Sequence, residues 1–539
     1  MIDQPQTDAR PDFGFDPDTN CWRVARAAQL ALIVDGEHYF KALRRVMVAA
    51  RHELLLIGWD FDFEIEMLPG QSDADGMAPD GLPNHLGDFV EAVVERSPEL
   101  HLYLLKWNGA LLVAPGRLLP TAALHIFGSS RIHFALDGHH PFGACHHQKI
   151  VVADDTFAFC GGIDATEDRW DTSEHLPHDP RRVRKDGSPA PPWHDATSAL
   201  TGPVASALGE LSRQRWERAT GEALDGPGQS NVIPWPDDLE VGLRNVNVAI
   251  ARTEPPFEGR PLVNEIERLC LDQIAAARHH IYIESQYFAA ASVCDALEAR
   301  LQETDGPEIV IVNPQAALST LEDQAMHVLR GRMIARLEAA DPGGRFRIFH
   351  PVTSDGGPIY VHAKVFIVDD RVLRIGSSNL NNRSLGFDTE CDVAFESEAD
   401  SGDGKDDEVK KAIARFRARL LAEHMGVSEK VLAQAYARTG SLVAAIETLN
   451  PPKGRGLRRI EQLPEGIVGG WLADSRLLDA RYRPGEATET GRGVRPRHVA
   501  IVVGLGLLGW LAWRAWLGRD AASDKGRTAQ RQARSRDRP

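Results

Sequence analysis

Two histidines and two lysines stand in the same pattern at two places in this chain. His147, Lys149 and Asp154 lie in HHQKIVVADDTFAFCGGID, and His362, Lys364 and Asp369 lie in VHAKVFIVDDRVLRIGSSN. Both stretches read HxKxxxxD, each pair is offset by 215 positions, and Gly161 and Gly376 keep the same offset. A unit that retains its reactive letters in both copies argues for one site assembled from two halves. Two imidazoles with two ammonium groups suit the phosphorus of a diester. One imidazole can attack while the other protonates the leaving alcohol, and the lysines neutralise the equatorial oxygens as charge builds.

Short strands must position these groups. KIVVAD and KVFIVD are apolar and β-branched, so they read as buried strands on which each His and its Lys, two residues apart, share a face. Gly161-Gly162 and Gly376-Ser377-Ser378 follow; they let backbone approach a ligand and offer N–H and hydroxyl donors. A lone HxKxxxxD is as readily a strand and turn as a site, but two copies in register with matching glycine turns are not. His146 reads as a neighbour. Upstream, helical periodicity through Phe40, Leu43, Met47 and Ala50 leads into a strand at 53–61, with strands at 101–107 and 131–137 and a helix at 86–96. The second half repeats the order: a helix at 262–278, strands at 280–288, 308–314 and 345–351, and a long helix near 318–340. Strands alternating with helices predict an α/β fold. Loops at 67–84 and 177–192 read equally as rims of a cleft or as surface excursions.

These residues resemble the phospholipase D superfamily, whose signature is HxKxxxxD followed by a Gly/Ser-rich turn and Asn. The resemblance spans roughly residues 20 to 425. GGIDATEDRWDT (161–172), PWHDATSALTGPVASALGELSRQRW (192–216) and IYIESQYF (281–288) are similar to further blocks of its phosphatidylcholine-type branch, with Ser285 where that branch carries Asn. It implies two pseudo-repeated halves, each a β-sheet covered by helices, with one active site at their interface. It also implies a phosphohistidine intermediate without metal or cofactor, His147 as nucleophile, His362 as general acid, and Lys149 and Lys364 on the phosphate. Gly161, Gly162, Asp164, Ser377, Ser378, Asn379 and Glu390 are the matching substrate-side positions. Glu390 follows Asn379 by eleven residues, where the family often places a carboxylate that orients a histidine; His175 occupies that offset in the first half. Asp154 and Asp369 are thus the candidates to orient the first histidine or to cap turns. The implied reaction is cleavage of a glycerophospholipid to phosphatidic acid and a head-group alcohol. Water or an alcohol serves as acceptor. Cardiolipin-synthase-like transfer, nuclease action and an idle scaffold are the alternatives.

Composition frames this reading. With 539 residues, 43% of them hydrophobic, the chain can bury a large core. Six cysteines lack framework spacing, which favours a reducing compartment, and no His/Cys cluster has metal-ligand spacing. The polar amino terminus has no apolar leader segment. Residues 492–539 carry 11 Lys/Arg against 3 Asp/Glu, whereas the remainder carries a net charge of −24. So acidic a body suits nucleic acid poorly, while the basic tail suits an anionic membrane surface. Within that tail Val499–Leu517 is an apolar run of 19 residues, interrupted only by Arg514. At ~1.5 Å per residue it nearly matches the ~30 Å hydrocarbon layer, as a spanning or an interfacial helix. Its GLGLLG has no βαβ surroundings and is no nucleotide motif. The expected organisation is a polar segment (1–20), two halves (21–225 and 226–425), a helical extension and linker (426–498), the apolar helix (499–517) and a basic tail (518–539). With this tail, the protein is expected at the membrane, on the cytoplasmic face of a bacterial inner membrane.

Overall fold

The computed structural model describes residues 13–109, 128–228, 231–316, 320–397, 405–460 and 479–480. They fall in a compact unit running to Arg481. The expected helix at 499–517, the basic tail and most of the linker lie outside the described residues.

The first half contributes β1 (Arg23–Val34), β2 (Glu53–Gly58), β3 (His101–Trp107), β4 (Ile132–Asp137), β5 (Ile150–Ala153), β6 (Phe157–Gly161), β7 (Trp193–His194) and β8 (Ala196–Thr201). The second contributes β9 (Leu243–Glu254), β10 (Val263–Asn264), β11 (His280–Glu284), β12 (Glu308–Val312), β13 (Phe346–Val352), β14 (Tyr360–Val361), β15 (Val365–Val368), β16 (Val372–Gly376) and β17 (Glu390–Glu396). A last strand, β18 (Gly456–Arg459), pairs with β13, so the extension after residue 425 is not purely helical. The helices are α1 (Gly36–Ala49), α2 (Leu86–Arg96), α3 (Pro203–Thr220), α4 (Glu265–Ala276), α5 (Ala291–Gln302), α6 (Thr320–Ala339), α7 (Lys405–Met425), α8 (Glu429–Thr439) and α9 (Leu442–Leu449).

One sheet runs through both halves in the order β18-β13-β12-β11-β15-β16-β17-β9-β1-β8-β6-β5-β2-β3-β4. Reading outward from the antiparallel β9–β1 pair, the two arms match strand for strand as far as β13 and β4, and β18 is an additional strand on the second arm. The duplication in sequence is therefore a duplication in space, with the two copies fused along their central strands.

Three apolar clusters hold the layers. One face carries a core common to both arms, where Leu30, Ile57, Val152, Ile250, Val365 and Ile375 pack with residues of α3, α7, α8 and α9. On the other face, α1 and α2 cover the first arm through Phe40, Leu43, Met47 and Phe89, and Ile266, Leu269, Leu297 and Leu337 cover the second. Because apolar burial on one face spans the join, the two arms share one core rather than touching at a surface.

Candidate active site

Each HxKxxxxD stretch sits at the entry of a hairpin. In β5–β6 and β15–β16 the strands pair antiparallel, and Asp154-Asp155 and Asp369-Asp370 turn the chain with left-handed φ of 49° to 56°. Such consecutive left-handed residues are what a tight hairpin needs, and Asp tolerates them. Asp154 accepts the backbone N–H groups of Arg51, His52 and Glu53, each at 2.8 Å, and the Asn231 amide at 2.8 Å. Asp369 likewise accepts from Arg278, His279 and His280 at 2.6 to 2.8 Å. Both carboxylates stand a strand's length, roughly 16 Å, from the lysine of the same motif. They cap turns and orient no histidine, because the extended strand carries them to the opposite edge of the sheet.

The orienting carboxylates come from the opposite arm. His147 Nδ1 lies 3.0 and 2.9 Å from the two oxygens of Glu390, and His362 Nδ1 lies 2.7 Å from Asp195 Oδ2. Backbone bonds repeat the crossing: His147 N–H donates to Thr389 O at 2.9 Å, and His362 N–H donates to His194 O at 2.8 Å. Asp195 and Glu390 are equivalents, each two residues before the residue paired with the motif glycine, Thr197 opposite Gly161 and Asp392 opposite Gly376. Asp195 lies inside the block at 192–216, but its spacing from the motif does not mark it as a partner. It is 195 positions from Glu390, not 215, because the first arm inserts a longer loop before β8.

The glycines allow the close approach of this pairing. A Cβ on Gly161 would collide with Thr197, and one on Gly376 with Asp392. Gly162 donates to Ala196 O at 2.9 Å. Ser377 Oγ donates to Glu390 Oε2 at 2.5 Å, so it steadies the dyad. Ser378 is occupied by the buried Arg374–Asp392 pair. Asn379 holds Gln286 at 3.4 Å, with its own Oδ1 buried and unpartnered. Asp164, at the equivalent offset, instead presents a carboxylate 3.2 Å from Lys149 Nζ. The two positions thus differ: Asp164 is ion-paired with Lys149, while Asn379 bonds Gln286 and Lys364 Nζ donates to the His362 carbonyl. His146 is fully buried, 2.9 Å from Thr389 Oγ1.

The electrostatics join the halves. Burial, then Lys149 and Lys364, holds His147 well below the usual imidazole range; burial, then Lys364, Arg169, Lys149 and His147, does the same to His362. Burial pushes Glu390 up to about 8 against the pull of Ser377 and Lys149. Burial, reinforced by Lys149 and opposed by Asp195, brings Lys364 down to about 7. With the shared proton on His147 Nδ1, facing Glu390, the ring's lone pair is on Nε2. Trp193 packs on the His362 ring at 5.1 Å and stacks on Tyr360 at 4.6 Å, and the Arg169 guanidinium lies 4.3 Å from the centroid of the Trp193 ring.

Behind Asp195 lies a buried set of acids and imidazoles drawn from distant segments. Asp35, His175, His194 and Glu423 form one group of potential metal donors, and His194, Glu284 and His424 another. Spacing along the chain could not reveal it, since its members come from five separate stretches. Loops around 62–70 and 180–190 line a cavity of about 1140 Å³ that reaches Thr166 and Trp170 and includes none of the two histidines, two lysines or their carboxylates.

Residues 270–418 match the family model described as the PLD-like domain of cardiolipin synthase. Phospholipase D1 of Schizosaccharomyces pombe is 26% identical over 387 residues, covering 54% of this chain and 28% of its own. Phospholipase D alpha 1 of Zea mays is 24% identical over 399 residues, covering 53% of this chain and 49% of its own. The chain thus spans between a quarter and a half of the length of these relatives. The crystal structure of phosphatidylserine synthase from Haemophilus influenzae Rd KW20 superposes with a TM-score of 0.48 at 12% identity, covering 79% of this chain and 96% of that one, too distant to argue from.

Proposed function

Since the chain belongs to the phospholipase D superfamily, we propose that its double-histidine site cleaves the distal phosphodiester of a glycerophospholipid, releasing phosphatidic acid and a head-group alcohol. The observation that carries this reading is the crossed pair of dyads, His147–Glu390 and His362–Asp195. His147 Nε2 attacks phosphorus while Glu390 holds the Nδ1 proton and stabilises the charge that builds on the ring. The bond from phosphorus to the head-group oxygen breaks, and His362 supplies that oxygen's proton. An anionic diester between Lys149 and Lys364 offsets the cations that keep His362 neutral in the free enzyme, and so favours its proton. His362 then takes a proton from water, which attacks phosphorus and releases His147.

An alcohol in place of water would receive the phosphatidyl group, and the match of residues 270–418 to a cardiolipin synthase family model favours testing that outcome directly. Val499–Leu517 and the arginines after it would hold the enzyme on an anionic bilayer, with the cytoplasmic face of a bacterial inner membrane as the proposed location. Among the described residues no helix is long and apolar enough to cross a membrane.

Mixed phospholipids incubated with the protein and a primary alcohol should yield phosphatidic acid and the phosphatidyl alcohol by mass analysis. His147→Ala and His362→Ala should each remove nearly all of both products, and the double variant should be hardly worse. Diacylglycerol as the lipid product, or half the rate surviving in each single variant, would refute the proposal.

A further inference from the structure

We propose that His194 is a positioning residue for this reaction: clamped between Glu423 and Glu284 with a proton on each ring nitrogen, it fixes the Asp195–His362 dyad and leaves the Glu390–His147 dyad untouched. The inference rests on the roles given above to the two histidines.

Every link is short and buried. His194 Nδ1 lies 2.8 Å from Glu423 Oε1, and Nε2 lies 2.9 Å from Glu284 Oε2. A carboxylate on each side of one ring calls for two N–H donors, hence an imidazolium. The residues flanking His194 both touch His362: Asp195 through its carboxylate and Trp193 through its ring. The His194 carbonyl itself accepts the His362 N–H. Fixing the His194 ring therefore fixes three contacts to one catalytic histidine. Among the described residues, the hydrogen bonds of Glu390 and His147 join them to each other, to Ser377 and to neighbouring residues, not to this group.

The surroundings balance the charge. Asp35 stands 3.4 Å from His194 Nδ1. His175 lies 2.8 Å from Asp171 and 3.2 Å from Glu423, and Asp171 also meets Arg182 at 2.7 Å. From β11 come Tyr282 and Glu284, from α7 Glu423 and His424, whose Nε2 is 2.8 Å from Glu284. Arg455 faces the same acids. Four carboxylates meet two imidazoliums and two guanidiniums, so protons suffice to hold the cluster. Acidic neighbours outweigh burial and raise His194 well above the ordinary imidazole range. Asp35 and His175 also keep left-handed φ of 65° and 42°, a backbone strain that only a surrounding tight network sustains.

The test uses His194→Gln and a p-nitrophenyl ester of a short-chain phosphatidic acid. Nitrophenolate leaves without a proton, so its first turnover reports attack by His147, while steady turnover also needs His362 to activate water. The variant should keep the first-turnover rate within about twofold, lose at least tenfold in steady turnover, and shift the pH limb of that turnover. First-turnover and steady rates falling together, or neither changing, would overturn the inference. So would a stoichiometric metal ion found in the wild type and lost from the variant. Should His194→Gln fail to fold, His194→Gln/Glu284→Gln removes the orphaned carboxylate, and the same split is required of it. A wild type that forms no phosphoenzyme on His147 would sink the functional reading. A normal phosphoenzyme with an unaffected variant would sink only the role of His194.

Discussion

Replacing Glu390 by Gln isolates the carboxylate of one dyad while keeping its shape. In the attack, His147 passes from neutral imidazole to a cationic phosphoimidazole, with the buried Glu390 oxygens about 3 Å from Nδ1. Above a pH of about 8, where Glu390 is ionised, a full charge pair at that distance and an effective dielectric of about 20 is worth about 5 kcal/mol. The amide can return a neutral hydrogen bond worth roughly 1 kcal/mol, leaving about 4 kcal/mol, or close to a thousandfold in rate. There is also a tautomer effect in the same direction. An amide N–H donating to Nδ1 would move the imidazole proton to Nε2, the nitrogen that must attack. The assay mixes enzyme with labelled substrate, quenches in alkali to preserve the P–N bond, and follows label on the peptide containing His147. Glu390→Gln should slow its appearance by about a thousandfold, while binding of sulfate at pH 6 stays within a few-fold. A loss below tenfold, or an equal loss of sulfate binding, would refute the assignment of Glu390 to His147.

Two further outcomes follow from the electrostatics and the tail. Lys364 is brought down to about 7, so its ammonium form is complete at low pH and is lost as pH rises through 7. Sulfate affinity by calorimetry should therefore weaken above pH 7, approaching about tenfold per pH unit from this group; Lys364→Arg, charged throughout, should flatten the profile, and an unchanged slope would contradict it. Deleting residues 492–539 should leave activity on short-chain monomeric phospholipid but release the protein from anionic vesicles at any salt, whereas neutralising only the arginines between 519 and 538 should matter at low salt alone. Truncated protein that stays on vesicles would place the membrane contact in the catalytic body.

The reactive letters were legible because strand periodicity keeps His and Lys two residues apart on one face, and both copies do so. Their partners were less so. Searching the first arm at Glu390's offset from the motif finds His175, because the loop between Asp164 and Asp195 is longer than that between Asn379 and Glu390. Nor does local pattern tell that each carboxylate serves the other arm's histidine; that depends on β1 and β9 pairing. Those two strands were themselves missed. RVARAAQLALIV and LRNVNVAIARTE mix alanine and arginine without clean alternation, since both sit mid-sheet with neighbours on each side and cores on both faces. Asp154 and Asp369 illustrate the converse: fixed letters of a catalytic signature whose work is to turn the chain.

The antiparallel join of β1 to β9 makes the linker around residues 225–238 a tether rather than a hinge. An isolated arm would present a bare twelve-residue edge strand, open to pairing with a second copy of itself. In such a self-pair of first arms, the two-fold axis would bring the other copy's Asp195 to the place Glu390 holds beside His147. Covalent linkage replaces that encounter by a high effective concentration, and it frees the two copies to diverge. The difference between Asp164 and Asn379 at matched positions after the two motifs is divergence of that kind, which a symmetric pair could not keep.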